Sequence, residues 1–243
     1  MDRKRWAKWI NFPSWPCSQC WNGSLRLLPK TLQTATSRAE RLERDDPHYN
    51  HHEFLDRFVA LLKCDNPACE ETGTIAGNRH QHWMPDGTED GYTDISYQVF
   101  SVIPSPLPFK LGSRVPPTVA DRMHEASALF WQDATAAANR AREAIGAILT
   151  DLGIETQSER GRRLNLHQRI EKLRARTDQR WAEQADLIEA IKWIGNEGTH
   201  ETVSREEVLD AFELLETVIE DVYHRSRHEL LARAQATNAK YRR

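Results

Sequence analysis

The sequence predicts an α+β protein, mainly α, in which a small β module precedes a helical bundle. Two close cysteine pairs, each beside short apolar runs typical of strands, lie before residue 104. Five prolines crowd residues 104–117 and indicate an extended linker. From Thr118 onward, apolar residues recur with the period of helices. We therefore predict two domains, at residues 1–112 and 113–243.

Composition excludes several classes of protein. The 243 residues are 39% hydrophobic and 28% charged, which suits a soluble protein with ordinary cores. A formal net charge of −3 excludes bulk attraction to nucleic acid or to a membrane, so any such contact needs a local patch. No apolar run approaches the roughly 18 residues that a spanning helix needs, and the basic start lacks the apolar core of a signal peptide. We expect a cytoplasmic protein with no membrane contact.

The four cysteines form two pairs with the spacing of metal ligands. Cys17 and Cys20 are separated by two residues, and Cys64 and Cys69 by four. Such gaps let both thiolates of a pair reach one ion while the backbone turns, and Gly23 supplies permissive backbone after the first turn. Strands are predicted around the second pair and beyond it, at residues 58–63, 72–76 and 93–100.

This arrangement predicts a zinc ribbon, in which all four cysteines bind one Zn²⁺. Four sulfur ligands complete the tetrahedral shell, so the zinc would be structural and not catalytic. The alternative is two thiol pairs used for redox chemistry.

Two other groups of side chains in the first part each allow two interpretations. The aromatic residues near the N-terminus either cover a small metal domain or offer a stacking surface for bases; they are Trp6, Trp9, Phe12, Trp15 and Trp21. The histidines are either surface residues or ligands of a second metal ion; they are His48, His51, His52, His80 and His82.

The second part predicts five helices that form an antiparallel bundle. Each carries an apolar stripe, and the stripes run over residues 119–130, 137–152, 166–173, 187–194 and 208–222. Gly153 is placed to end the second helix. Ser204 and Glu207 form a capping box at the start of the fifth. The tail from Arg225 to Arg243 remains helix-prone and is expected to form a long C-terminal helix, but it loses the apolar period, so we expect it to project or fray.

A basic stretch at residues 160–180 is the candidate contact for nucleic acid. The candidate residues are Arg162, Arg163, Arg169, Lys172 and Arg174. The alternative is a solvated helix face that pairs with acidic helices such as residues 213–221.

The connection between the fourth and fifth helices carries a possible catalytic group. Residues 195–200 read Gly-Asn-Glu-Gly-Thr-His, and the two glycines are expected to end the fourth helix. His200, as a neutral imidazole, could act as a general base near pH 7. Asn196 would then orient the reacting group, and Lys192 or Arg142 would stabilise developing negative charge. The other interpretation is a histidine that only closes a turn.

Residues 118–223 resemble an uncharacterised family of prokaryotic helical domains grouped with the HEPN domains (higher eukaryote and prokaryote nucleotide-binding). The resemblance is carried by residues 139–145, 188–200 and 204–211, and its most specific part is Gly195-Asn196 followed by His200. Members of this family often carry an upstream cysteine-knuckle segment, which Cys17 to Cys69 resembles. Some are fused to restriction-system subunits or encoded with phage-defence genes.

The resemblance implies a dimeric bundle, and it bears on catalysis. Active HEPN ribonucleases share an arginine, a polar residue directly after it and a histidine a few residues further on, and they cleave RNA without metal at the dimer interface. In this chain Gly195 stands where that arginine is expected. Lys192 lies too far from His200 in sequence to match the motif.

We therefore expect a regulatory or binding component of a prokaryotic anti-phage defence or toxin system. It would act as a homodimer that contacts RNA, DNA or a partner protein, with zinc as a structural ion. One alternative is a metal-independent endoribonuclease that uses His200, and another is a structural scaffold.

Overall fold

The computed structural model describes residues 2–11, 13–43, 53–85, 91–197, 202–224 and 226–241. The chain divides into two compact units, one of Met1–Pro108 with Ser127–Asp133 and one of Phe109–Ala126 with Ala134–Arg243. The first contains an antiparallel sheet and the second is helical. At this level the predicted mixture of helices and strands is confirmed.

The first unit is built on a six-stranded antiparallel sheet. Its strands are β1 (Ser14–Pro16), β2 (Ser24–Leu27), β3 (Gln33–Thr36), β4 (Glu53–Cys64), β5 (Thr72–Met84) and β6 (Tyr92–Ile103). The order is β1-β2-β4-β5-β6, and β3 also pairs with β4. Short helices lie at Arg3–Trp6, at Pro29–Thr31 and at α1 (Arg38–Glu43).

The three predicted strands are confirmed, but each is longer than the sequence suggested. β4, β5 and β6 have 12 or 13 residues. In β4 the side chains of Phe58, Ala60 and Leu62 are buried while those of Val59 and Leu61 are exposed. This alternation is the expected pattern of a strand with one face on a core.

Aromatic residues form much of the core of the first unit. The side chains of Trp6 and Trp15 are almost completely buried. Trp6 stacks on Trp131 with ring centroids 5.3 Å apart, and Trp15 meets the same ring edge-on at 5.2 Å. These two indoles therefore cannot offer a stacking surface for bases, whereas Trp9 remains 38% exposed. Phe12 lies outside the described residues.

Two of the five candidate histidines of the first unit lie within the described residues. His80 and His82 lie on β5 with ring centroids 6.2 Å apart. His48, His51 and His52 lie outside the described residues, so the interpretation of a second metal site stays a prediction.

The second unit is built from helices. They are α2 (Pro117–Leu129), α3 (Ala134–Asp151), α4 (Leu166–Arg174), α5 (Arg180–Glu197), α6 (Arg205–Ile219) and α7 (Ser226–Tyr241), with a π-helical turn at Glu220–His224. The last three residues of α2 belong to the first unit. α3 packs against α4, α5 and α6 through a fully buried face that includes Ala141, Ile145 and Ile148. None of the described helices combines the length and the apolarity needed to cross a membrane.

The ends of the helices follow the local chemistry of the sequence. Gly153, two residues after the end of α3, takes a φ of +72°, as a helix-ending glycine should. At α6 the Ser204 hydroxyl accepts from the Glu207 amide at 3.2 Å, and the Glu207 carboxylate accepts from the Ser204 amide at 2.7 Å, which confirms the capping box. α5 passes through Gly195 and ends at Glu197. The helix tolerates Gly195 because one glycine costs it only about 1 kcal/mol, and Gly198, the second glycine expected to end it, lies outside the described residues.

Candidate functional site

The four cysteines come together at one end of the sheet. Cys17 and Cys20 lie in the turn between β1 and β2, and Cys64 and Cys69 lie at the turn between β4 and β5. Since Leu25 of β2 is paired with Cys64 of β4, the two turns are neighbours. The Sγ atoms of all four residues lie within 4.8 Å of one another.

The sulfur separations fit a tetrahedral metal site. The Sγ atoms of Cys17 and Cys69 are 3.8 Å apart, and those of Cys20 and Cys64 are 3.7 Å apart. Zinc–sulfur bonds of about 2.3 Å in a tetrahedron place two sulfurs about 3.8 Å apart. The cluster can therefore hold one divalent ion with all four thiolates and no open coordination position.

Both cysteine turns share one backbone plan. The Cys17 amide donates to the Gly23 carbonyl at 2.9 Å, and the Cys64 amide donates to the Glu71 carbonyl at 2.8 Å. In each turn the residue directly after the second cysteine has a positive φ, +56° at Trp21 and +50° at Glu70. Only a few per cent of residues other than glycine adopt this conformation, so the sequence carried no signal for it.

Gly23 and Asp65 hold the two turns against each other. A Cβ atom at Gly23 would lie only 2.7 Å from Cys64 Sγ, so the space between the turns admits glycine alone. The Asp65 carboxylate accepts from the Ser24 amide at 2.7 Å and pairs with Arg26 at 2.8 Å. The Ser24 amide, followed by Arg26, holds the pKa of Asp65 below its usual value.

The surroundings of the thiols move their pKa values in opposite directions. The amide of Asn22, then the side chain of Asn66, lowers the pKa of Cys20 to about 6. Burial raises the pKa of Cys64 to about 12. The pKa of Cys69 is raised. The Glu71 amide lowers it, but burial and the neighbouring thiols together have the larger effect. A divalent cation would favour the thiolate form of all four, which links metal binding to proton release.

In the helical unit, Lys192 is buried and already paired. It is 2% exposed, and its Nζ donates to Glu189 Oε1 at 2.9 Å. The same Nζ lies 3.8 Å from the centroid of the Trp193 ring. The hydrogen bond from Lys192 holds the pKa of Glu189 below its usual value. The cation that was a candidate for stabilising developing charge is thus neutralised within α5.

A second group of possible metal ligands surrounds the same carboxylate. Ligand atoms of His167, Glu171 and Glu189 lie within 4.8 Å of one another. However, Arg174 donates to Glu189 Oε2 at 2.9 Å while Lys192 occupies the other oxygen. Because two cations already occupy both of its oxygens, Glu189 is part of an ion-pair network and is a poor metal ligand.

The other catalytic candidates are distributed as follows. Arg142 lies on α3 and lines a cavity beside α4. Asn196 belongs to the last turn of α5. His200 lies outside the described residues.

The five basic candidates separate into two groups. Arg162 and Arg163 are exposed and make no ion pair within the described part of the chain. The other three are used inside the unit. Arg169 is buried and bonds to α3 and the loop after it, Lys172 pairs with Glu155, and Arg174 pairs with Glu171, Asp186 and Glu189.

Comparison with known proteins gives two family matches. Residues 124–240 match the model of a domain of unknown function, DUF4145. Residues 8–103 match the model of another domain of unknown function, DUF8608. Neither match covers half of the chain, and neither description states an activity. No match is found among curated proteins or among solved structures.

Proposed function

We propose that the protein is a zinc-stabilised, non-catalytic binding component of a prokaryotic defence or toxin system. In this proposal a zinc-ribbon-like module is joined to a HEPN-like helical domain, which forms a homodimer and contacts nucleic acid. The observation that carries the proposal is a loop with unpaired arginines between α3 and α4.

That loop is compact and basic. The Ser158 amide donates to the Arg162 carbonyl at 2.8 Å, and the Gly161 amide donates to the Ser158 carbonyl at 2.8 Å. Gly161 has a φ of +73°, which lets the chain reverse there. Arg160, Arg162 and Arg163 are exposed and have no ion pair in the described ranges. Exposed guanidinium groups held on an ordered loop suit contacts with phosphates.

Two observations support binding over catalysis. Gly195 occupies the position at which the resemblance to HEPN ribonucleases expects an arginine. Lys192, the cation nearest to it in sequence, is buried and bonded to Glu189. Lys192 is therefore not free to stabilise the charge that develops on phosphate during RNA cleavage.

The zinc part of the proposal is supported by the geometry of the cysteines. Near-tetrahedral spacing favours one ion over two redox pairs, since a disulfide needs sulfurs only about 2.05 Å apart. Four thiolates are the usual ligands of structural zinc. We expect close to one zinc ion per chain, and loss of that ion in Cys64→Ser.

Binding of labelled single-stranded RNA and DNA to the metal-loaded chain, in a buffer without chelator, tests the function. Arg160→Glu with Arg162→Glu should weaken binding and lower the slope against log salt by about 1.4, or about 0.7 for each lost phosphate contact. Lys4→Glu with Lys8→Glu changes the net charge equally in the other unit and should leave the slope unchanged. Equal loss in both variants would refute the loop as the contact.

Three further outcomes distinguish the alternatives. RNA cleavage that persists in EDTA and disappears in His200→Ala would establish the ribonuclease and refute a non-catalytic role. Absence of any salt-sensitive binding would refute nucleic acid as the partner and favour a protein partner or a scaffold. A monomer in sedimentation at micromolar concentration would refute the dimer.

A further inference from the structure

An open cavity lies between α3, α4 and the loop that joins them. Its volume is about 500 Å³, within the range of sites for small ligands. It is lined by Arg142, Glu143, Gly146, Thr156, Arg163, Leu164, Asn165, Leu166 and Arg169. The described lining residues thus include three arginines and one acid, around a cavity large enough for a small ligand.

Arg169 is a buried cation with only neutral partners. Its side chain donates to the Gly146 carbonyl at 3.2 Å, to the Thr150 hydroxyl at 2.8 Å and to the Ile154 carbonyl at 3.2 Å. The residue is only 8% exposed, and its Nε is buried without a hydrogen-bond partner. No carboxylate in the described ranges pairs with it. Buried charges are normally paired, so Arg169 calls for an anion that none of the residues described by the structure supplies.

The other two arginines add to this unbalanced charge. The Nε of Arg142 is also buried without a partner. Neither Arg142 nor Arg163 forms an ion pair among the residues that the structure describes. Glu143, the one acid among the described residues that line the cavity, accepts through Oε2 from Arg140 at 2.6 Å and lies 3.4 Å from Arg122, so its charge is balanced by arginines outside the cavity.

Gly146 keeps one wall of the cavity open. It lies inside α3, where glycine costs about 0.5–1 kcal/mol relative to alanine. A Cβ atom there would meet only Arg169 Nη1, at 3.9 Å. Packing therefore does not require this glycine, and the space beside it is open for a ligand.

We propose that this cavity binds a tetrahedral oxyanion of the phosphate class, either free phosphate or the terminal phosphate of a small metabolite. Arg169 would meet the anion at the buried end, with Arg142 and Arg163 at the sides. Guanidinium groups suit this role because their planar donors match the oxygens of phosphate. The inference goes beyond the proposed function and does not depend on it, since a polynucleotide can bind the exposed loop whether or not the cavity is filled.

Calorimetric titration of the full, metal-loaded chain tests the inference. Inorganic phosphate and adenosine monophosphate are the two probes, and saturable binding with a rise in melting temperature is expected. Arg142→Gln and Arg163→Gln should each weaken binding by about tenfold, because each removes a charge-assisted hydrogen bond. Arg162→Gln is the matched control, since Arg162 is exposed beside the cavity but does not line it. Arg169→Gln is avoided because that residue also holds the loop.

The outcomes are separable. Equal affinity for the two probes indicates free phosphate as the ligand, and tighter binding of the nucleotide indicates a phosphorylated metabolite. Absence of saturable binding of both probes overturns the inference, as does binding unaffected by Arg142→Gln or reduced equally by Arg162→Gln. Because RNA binding is tested separately through Arg160 and Arg162, a protein that binds RNA but neither probe contradicts this inference alone.

Discussion

Replacement of Gly23 by alanine tests whether the two cysteine turns form one metal site. The added Cβ would lie 2.7 Å from Cys64 Sγ, 2.8 Å from Asn66 Cβ and 2.8 Å from Asp65 Oδ1. These distances are too short for carbon against sulfur, carbon or oxygen. The turns must therefore separate, and Cys64 Sγ must leave the position that gives the tetrahedral spacing.

The expected cost follows from the number of contacts. Overpacking a well-packed site lowers the free energy of unfolding by about 1–3 kcal/mol. Since the added Cβ would make three close contacts with the second cysteine turn, we expect Gly23→Ala to cost about 2 kcal/mol, in the middle of that range. For a unit of this size, such a loss lowers the melting temperature by roughly 8 °C. Zinc affinity should fall as well, because one of the four sulfurs is displaced.

Metal content per chain and thermal unfolding measure both effects. Gly146→Ala is the matched control, since its Cβ meets nothing closer than 3.9 Å. That variant should keep its metal and gain about 0.5–1 kcal/mol from reduced backbone entropy. If Gly23→Ala kept the metal content and melting temperature of the natural chain, the close-packed metal site would be refuted.

Three further predictions concern individual residues. Glu70→Val should destabilise the first unit by about 1–2 kcal/mol because a β-branched residue is strained at positive φ, while Glu70→Gly should not; equal melting temperatures would contradict this. Glu189, whose pKa is lowered from 4.5 by Lys192, should stabilise the fold above that pH and lose the contribution as pH falls through its folded value. Glu189→Gln should therefore lose less stability than the natural chain as the pH falls below 4.5, as measured by urea unfolding. Ser204→Ala should cost about 1 kcal/mol by removal of the α6 cap, and an unchanged urea midpoint would count against the capping box.

Local signals in the sequence were sufficient for several features. The spacing of Cys17, Cys20, Cys64 and Cys69 indicated that the four would meet, because two short gaps in flanking strands leave few other arrangements. The capping box at Ser204 depends only on neighbouring residues. Such features need no knowledge of what packs against them.

Features that depend on distant partners could not be predicted in the same way. The helical period showed that Phe130 is buried, but not that it packs with Trp6 in the first unit. The basic stretch of the sequence made Arg162 and Arg169 equal candidates for a nucleic-acid contact, although Arg162 is exposed and Arg169 is buried. Periodicity shows which face of a helix is buried, and charge shows which side chains need a counter-ion. Neither identifies the distant residue that packs against that face or pairs with that charge.

Metal binding at the cysteine cluster, as proposed, would make the stability of the first unit depend on the supply of metal. Cys17 and Cys69 are 52 residues apart in the chain. By the relation used for covalent cross-links, closing a loop of that length stabilises a fold by about 4 kcal/mol. Above the dissociation constant, each tenfold rise in free ion adds about 1.4 kcal/mol. If the cluster binds zinc as proposed, the folded fraction of this unit would follow the free zinc concentration of its surroundings, and zinc depletion would unfold the sheet of the first unit.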